Sequence, residues 1–529
     1  MELQFNPFAS NFLNLFLLFS FLVLIVKIWK KRNTPIMNLP PGPRKLPIIG
    51  NMHNLFGGLP HVVLRDLARV YGPMMHLWVG EVSTVVISSA EMAKEVLVTH
   101  DPTFANRPDR LAVKIMWYDQ QDMIFIPYGD KWRQMRKICT TELLSGKHVR
   151  SFSYIRKDEI SKLIESIRSS QGAAINVGEI FFMYTSLMTC RAAFGRICKE
   201  YETMIAYVKE GIALAAGFDA ADMFPSLKVL PLISGLRRKL LKMHYKIDSI
   251  LDDVISQHKL NHKSGKKSNA ETGEEDLIDV LLREQESGNP QMPITSKDIK
   301  AVVFDIFTGG TDTASVTSEW AMAELMKHSR VMAKAQAEVR QVFKGKKPIE
   351  EDDVQKLVYL KMVVKETLRL HPPIPLIPRA SRENRQVKGC MIPNKSQIMV
   401  NAWAIGRDPE YWDDPEIFLP ERFEQNSIDY TGTHCQYLPF GTGRRMCPGT
   451  AFGIVNVELP LAHLLYHFDW RLPDRMNVID LDMDEAAGIN IKRKNNLNLV
   501  ATAYYPSRRS EVCEMRQHND LHMIDPSVA

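Results

Sequence analysis

The 529-residue chain has no C-x-x-C pair, no G-x-G-x-x-G turn opening a helix after a strand, and no repeat at a fixed period. The first absence removes the zinc knuckle and the thioredoxin-type dithiol. The second removes the turn that seats a dinucleotide on a helix N-terminus, so the chain is not expected to bind a nicotinamide itself. The third excludes solenoids and propellers. Cysteine is scarce: seven residues, an odd number without paired spacing, which argues against a disulfide scaffold and for a reducing compartment. Excess charge is scarce too. A net +6 spread along the chain points weakly to an acidic partner or membrane surface, and no nucleic acid is expected as a partner.

What is present is a folded composition, 45% hydrophobic and 24% charged, with one long apolar run near the start. "FLNLFLLFSFLVLIV", residues 12–26, extends through Trp29 to a length that spans a bilayer. Glu2 alone precedes it in charge, whereas Lys27, Lys30, Lys31 and Arg32 follow it, so the positive-inside rule leaves the bulk of the chain in the cytosol. The expected organisation is therefore a membrane anchor over 1–33 with its span at 12–29, a proline-rich hinge over 34–50, one large domain over 51–506, and a polar tail over 507–529. Helical periodicity dominates the large domain. Strand-like alternation near 74–88, 397–400 and 497–504 predicts a mainly α protein with a smaller β-rich portion.

The stretch "PFGTGRRMCPG", residues 439–449, sets Cys447 among three glycines, two prolines and two arginines. A lone cysteine is commonly an inert core residue. Glycines that let backbone N–H groups approach, with cations nearby, suit a thiolate that holds a metal. Structural zinc needs about four ligands and only His434 and Cys435 lie close in sequence, whereas haem iron needs one axial protein ligand. The spacing of Phe440, Gly443, Arg445, Cys447 and Gly449 resembles the F-x-x-G-x-R-x-C-x-G signature of the cytochrome P450 superfamily, the haem-thiolate monooxygenases. The resemblance implies the cytochrome P450 fold, haem b (iron protoporphyrin IX) with Cys447 as axial iron ligand, Phe440 packed near the sulfur, and Arg445 on a haem propionate.

Further motifs follow in that family's order. "TGGTDTAS", residues 308–315, places two glycines inside a long helix beginning near Ser296. They predict a local opening of the helix, and close packing of another element explains them equally well. The resemblance implies that Asp312 and Thr313 are the acid and alcohol that relay protons during dioxygen activation. In "KETLRLHPP", Glu366 and Arg369 are three apart, on spacing alone a surface ion pair. With Arg422 of "PERF" they match the family's buried structural network. Trp132 and Arg136 of "WRQMR" and Arg379 of "IPRA" are the remaining haem-propionate candidates.

In detail, "KIMWYD", "WRQMRKIC", "HPPIPLIPR" and "LLYHFDW" resemble plant microsomal members of the 71 clan, in the subfamily containing terpene hydroxylases. That resemblance implies a single-pass endoplasmic reticulum protein with a cytosolic catalytic domain. It takes NADPH-derived electrons from cytochrome P450 reductase, with cytochrome b5 as a second donor, and oxidises a lipophilic plant metabolite. A terpenoid is the expected substrate, with an indole alkaloid or a flavonoid as alternatives; a haem protein that does not activate dioxygen is the rival class. The pocket is expected around Lys114, Trp117, Val302, Phe304, Asp305, Thr308, Ile374, Ile377 and Ile489. Asp305 reads either as an acceptor for a polar substrate or as a satisfied structural aspartate.

Overall fold

The computed structural model describes residues 38–215, 219–264, 275–287, 292–346, 348–473, 476–486 and 488–505. The expected span at 12–29 and the tail at 507–529 lie outside them. Among the described residues, no helix is long and apolar enough to cross a membrane.

The helices of nine residues or more are α1 (Pro60–Tyr71), α2 (Asp130–Ile138), α3 (Ser153–Ser169), α4 (Val177–Phe194), α5 (Tyr201–Leu214), α6 (Leu236–Lys263), α7 (Leu277–Glu286), α8 (Ser296–Lys327), α9 (Ser329–Val342), α10 (Val358–Leu370) and α11 (Thr450–His467). The strands are short: β1 (Met74–Val79), β2 (Val82–Ile87), β3 (Ala174–Asn176), β4 (Leu376–Ala380), β5 (Arg385–Val387), β6 (Cys390–Ile392), β7 (Gln397–Asn401), β8 (Phe468–Arg471), β9 (Glu485–Ala486), β10 (Lys492–Arg493) and β11 (Asn498–Ala503). The largest sheet has the order β1-β2-β7-β4. In it β7 runs parallel to β2, with Thr84 opposite Gln397, and antiparallel to β4, with Leu376 opposite Asn401. A mainly helical fold with a small β-rich portion is thus what the alternation and periodicity predict.

Helix α8 organises the interior. It starts at a capping box: Thr295 Oγ1 accepts from the Asp298 N–H at 3.2 Å, and Asp298 Oδ2 accepts from the Thr295 N–H at 2.9 Å. Its first half, Ile299 to Phe307, packs in one hydrophobic cluster with residues of α6 and α7; its second half, around Trp320 to Met326, packs in another with α9, α10 and α11. Packing into both clusters supports a 32-residue helix that stays continuous through two adjacent glycines. The expected opening at those glycines does not occur: α8 is continuous there. A Cβ on Gly310 would lie 3.1 Å from Thr189 Oγ1 and 3.3 Å from Phe452, so this glycine permits close packing of α4 and α11. Gly309 meets nothing within 4 Å and bares helix backbone to a cavity.

Beneath α8, Glu366 and Arg369 of α10 are almost wholly buried. Arg369 donates from Nε to Glu366 Oε2 at 2.8 Å and from Nη2 to Oε1 at 2.9 Å, while Arg422 Nε reaches Oε1 at 2.9 Å. The remaining Arg369 donors reach the carbonyls of Gly406, Pro415 and Ile417, stitching the irregular segment 406–419 to α10. One carboxylate therefore balances two guanidiniums inside the protein. Glu366→Ala is expected to destabilise the fold by about 3–5 kcal/mol, because it strands those charges without a partner. Denaturant unfolding checks this, and a loss under 1 kcal/mol would show the pair to be dispensable.

Candidate active site

The cysteine loop is held at both ends before any cofactor is considered. The Cys447 N–H donates to Phe440 O at 2.9 Å. Gly443, with φ of 70°, passes so close to its neighbours that a Cβ would lie 2.1 Å from Leu97 O; only glycine fits. Next to it, the Arg444 N–H donates to Asp101 Oδ2 at 2.7 Å. Cys447 itself opens onto a cavity deep in the molecule. Burial pushes its thiol pKa up, and the Gly449 N–H, Arg136 and the Thr450 hydroxyl pull it back. A metal would displace that proton and take the thiolate as ligand.

Across the cavity from Cys447 runs one stripe of α8: Asp305, Ile306, Gly309, Gly310, Thr313, Ala314 and Thr317. This is i, i+4 spacing, and it decides which predicted residues reach the cavity. Asp305 and Thr313 do, as do Trp132, Arg136, Ile374, Ile377, Arg379, Phe440, Arg445 and Cys447. Phe304 and Thr308 face away on the same helix, and Val302 lies on the stripe's face one turn before it, so none of the three lines the cavity. Trp117 stands behind, its ring 5.1 Å from that of Phe304, and Ile489 is also outside the wall. Lys114 is exposed and paired with Asp109 Oδ2 at 3.0 Å. Asp312 is buried off the cavity: Lys492 Nζ lies 2.6 Å from its Oδ1, and Asn490 Nδ2 donates to its Oδ2 at 2.5 Å. Thr313 donates to Gly309 O at 2.7 Å.

Asp305 turns out to be a fastening residue. Its Oδ2 accepts from the backbone N–H groups of Met123 at 2.8 Å and Ile124 at 3.1 Å, tying the loop 119–126 to α8. Asp122, buried beside it, accepts from the Phe125 N–H at 2.6 Å. Burial pushes the Asp122 carboxyl up to about 7. Burial, and then the charge of Asp122, pushes Asp305 well above the carboxylate range. Sequence reasoning missed Asp122, which stands in "DQQDM" like any loop aspartate.

Four guanidiniums, those of Arg107, Arg136, Arg379 and Arg445, line the same cavity. Burial lowers the pKa of each, and for Arg107, Arg379 and Arg445 neighbouring arginines lower it further. Arg445 is largely engaged with the protein: Nε donates to Ala105 O at 2.7 Å, Nη1 to Met123 O at 3.1 Å, and Nη2 to Ile126 O. Its guanidinium also lies 4.8 Å from the Trp132 ring. Arg107 donates to Ile124 O and Pro378 O. Arg379 is different: it is 1% exposed and its Nε has no partner. Clustered cations, a buried donor without an acceptor, apolar walls and one thiol suit a flat apolar cofactor with anionic substituents and an axial iron site. Haem has that chemistry, and these residues fit it.

Comparison with known proteins agrees. The cytochrome P450 family model matches residues 40–499, and the chain belongs to that family. It is a haem-thiolate monooxygenase, supplied with electrons by a reductase and acting on a lipophilic small molecule. The chain is 56% identical to premnaspirodiene oxygenase of Hyoscyamus muticus, over 94% of this chain and 99% of that one. It is 54% identical to 5-epiaristolochene 1,3-dihydroxylase of Nicotiana tabacum, with the same shares. Among solved structures, a zebra fish cytochrome P450 with progesterone superposes with a TM-score of 0.73 at 24% identity, covering 85% of this chain and all of that one. The fold is shared at that distance.

The carboxyl pair makes a pH prediction. Asp122 titrates near 3.8 when unfolded and at about 7 when folded, so the folded state binds more protons between those values. Stability then falls as pH rises through that window, and the loss is complete above it. Asp122→Asn keeps an acceptor for the Phe125 N–H but cannot ionise. Thermal unfolding between about pH 4 and 7 should show a shallower decline in the variant; parallel curves would exclude Asp122 as the source.

Proposed function

We propose that the chain hydroxylates a terpenoid in a cavity lined by both Thr313 and Cys447. The observation that carries this reading is that juxtaposition, set in walls of Ile306, Ala314, Ile374 and Ile377. Cys447 would be the thiolate ligand of the iron; bound haem supplies the activation of dioxygen. Arg379, Arg136 and Arg107 would take the haem's carboxylates, with Trp132 and Phe440 against its apolar body. Arg445 would contribute mainly by holding the 123–126 loop. Thr313 holds a hydroxyl at the cavity surface, and its neighbour Asp312 connects through Lys492, 45% exposed at its side chain, to solvent. Asp312 and Lys492 thereby offer a proton route that enters behind α8. A terpenoid substrate is supported by the terpene-oxygenase relatives and by the few polar groups in the wall. An alkaloid is less well served, because Asp305 gives one oxygen to two backbone N–H groups and burial favours its neutral form.

The same reading places the protein in the endoplasmic reticulum membrane as a single-pass protein, anchored by residues 12–29, with cytochrome b5 as an auxiliary partner. Apolar side chains near the start of the described chain support the membrane. Ile48, Leu232 and Ile233 are 74%, 63% and 77% exposed. Exposed apolar side chains of this size suit lipid contact.

Two experiments test these readings. The reduced protein with carbon monoxide should show a thiolate-type Soret band that Cys447→Ser abolishes, and with reductase and NADPH it should oxygenate members of a terpene panel; a folded, haem-supplied parent without the band ends the reading. In a chain lacking residues 1–33, Leu232→Glu with Ile233→Glu should reduce sedimentation with phospholipid vesicles several-fold. Equal sedimentation would remove the patch from the membrane contact.

A further inference from the structure

Away from the cavity, two histidines and two aspartates meet between α6 and α7. His258 and His262 are one turn apart on α6, the i, i+4 spacing that aims two imidazoles from one helix face. Asp276 is the N-cap of α7, and Asp279 occupies its third position. His258 Nε2 lies 2.8 Å from Asp276 Oδ2, and His262 Nε2 lies 2.9 Å from Asp279 Oδ1. Ligand atoms of His258, Asp276 and Asp279 all fall within 4.8 Å of one another, and all three side chains are buried. His262, with 30% of its side chain exposed, leaves a way in from solvent.

The tautomer of His258 is what points to a cation. Its Nδ1 lies 2.8 Å from Val254 O, and a carbonyl only accepts, so Nδ1 carries the hydrogen. In the neutral ring Nε2 then presents a lone pair to a carboxylate oxygen at hydrogen-bond distance. Two acceptors that close need a proton or a metal between them, and an imidazole fixed by an Nδ1–H to a backbone carbonyl is how metal-bound histidines are held. The far side is shut by backbone. Helix α4 ends at Gly195 with φ of 67°, where a Cβ would lie 2.7 Å from Asp276 Oδ2.

We propose that His258, Asp276 and Asp279 form a zinc site that clamps α6 to α7, with His262 holding Asp279 from outside the ligand set. One imidazole nitrogen and two carboxylate oxygens suit Zn²⁺, with water completing the four-coordinate set. The proton between His258 and Asp276 leaves when the metal enters. None of the four residues lines the active-site cavity, so the clamp acts on stability and leaves substrate contacts alone.

Full-length, haem-loaded enzyme, dialysed against a chelator and titrated with ZnCl₂ alone, tests this by zinc content per chain and by unfolding temperature. One zinc per chain and a higher unfolding temperature are expected. Asp279→Asn, which alters a ligand and leaves the buried His258–Asp276 pair in place, should weaken zinc binding at least tenfold, and His262→Gln, which releases Asp279, should weaken it as well. A parent that retains no zinc overturns the proposal. So does zinc content or a zinc-dependent rise in unfolding temperature that persists unchanged in Asp279→Asn.

Discussion

Four guanidinium groups buried around one apolar cavity repel one another, and the protein's own carbonyls answer only part of their hydrogen-bonding need. Arg445 and Arg107 spend their donors on the 105 and 123–126 backbone and on Pro378, whereas Arg379 keeps an Nε with no acceptor. An interior of this kind is costly without an anion. Haem carboxylates held by these arginines would remove that cost and so couple cofactor binding to folding of this region through charge. The loop 119–126 stands at the junction: arginines hold its carbonyls, and Asp305 and Asp122 hold its N–H groups.

The opposite wall depends on helix phase. Because α8 remains closed through Gly309 and Gly310, one stripe from Asp305 to Thr317 faces Cys447 and everything a quarter-turn away faces protein. Gly309 leaves the cavity side of that stripe bare, and Gly310 lets α4 and α11 approach. Asp312 follows from the same phase. It is adjacent to Thr313 in sequence but rotated off the wall, toward Lys492 and Asn490 of the segment leading into β10. The acid and the alcohol therefore face different surroundings, one connected to solvent and one to the cavity.

Several features were legible because the chemistry is local. The Cys447 loop needs glycine at Gly443 for backbone clearance, and a cysteine so placed reads as a ligand from a dozen residues. Glu366 and Arg369 are spaced for a helical pair, although spacing alone cannot tell a surface pair from one that is wholly buried. Arg107 and Asp122 were not legible: each is an ordinary charged residue in a loop, and its burial comes from elements more than 200 residues away. The misplaced pocket residues have the same origin. Phe304 and Thr308 lie on the helix face turned from the cavity and Val302 lies a turn before it, and only the packing of α8 in the fold sets where along the helix and on which face the cavity opens.

By itself the sequence determined the class of protein, a mainly helical fold with a smaller β-rich portion, the candidate iron ligand and the expectation of an anchor. These rest on residues whose chemistry is expressed within a few turns of chain. Tertiary structure alone decided that Arg445 braces a loop, that Arg379 is left wanting an acceptor, that Asp305 is a fastener, and that Asp312 is paired with Lys492. Each of those depends on burial and on partners brought together across the chain, and desolvation, which sets the energy of a charge, is a property of the fold and not of the residue.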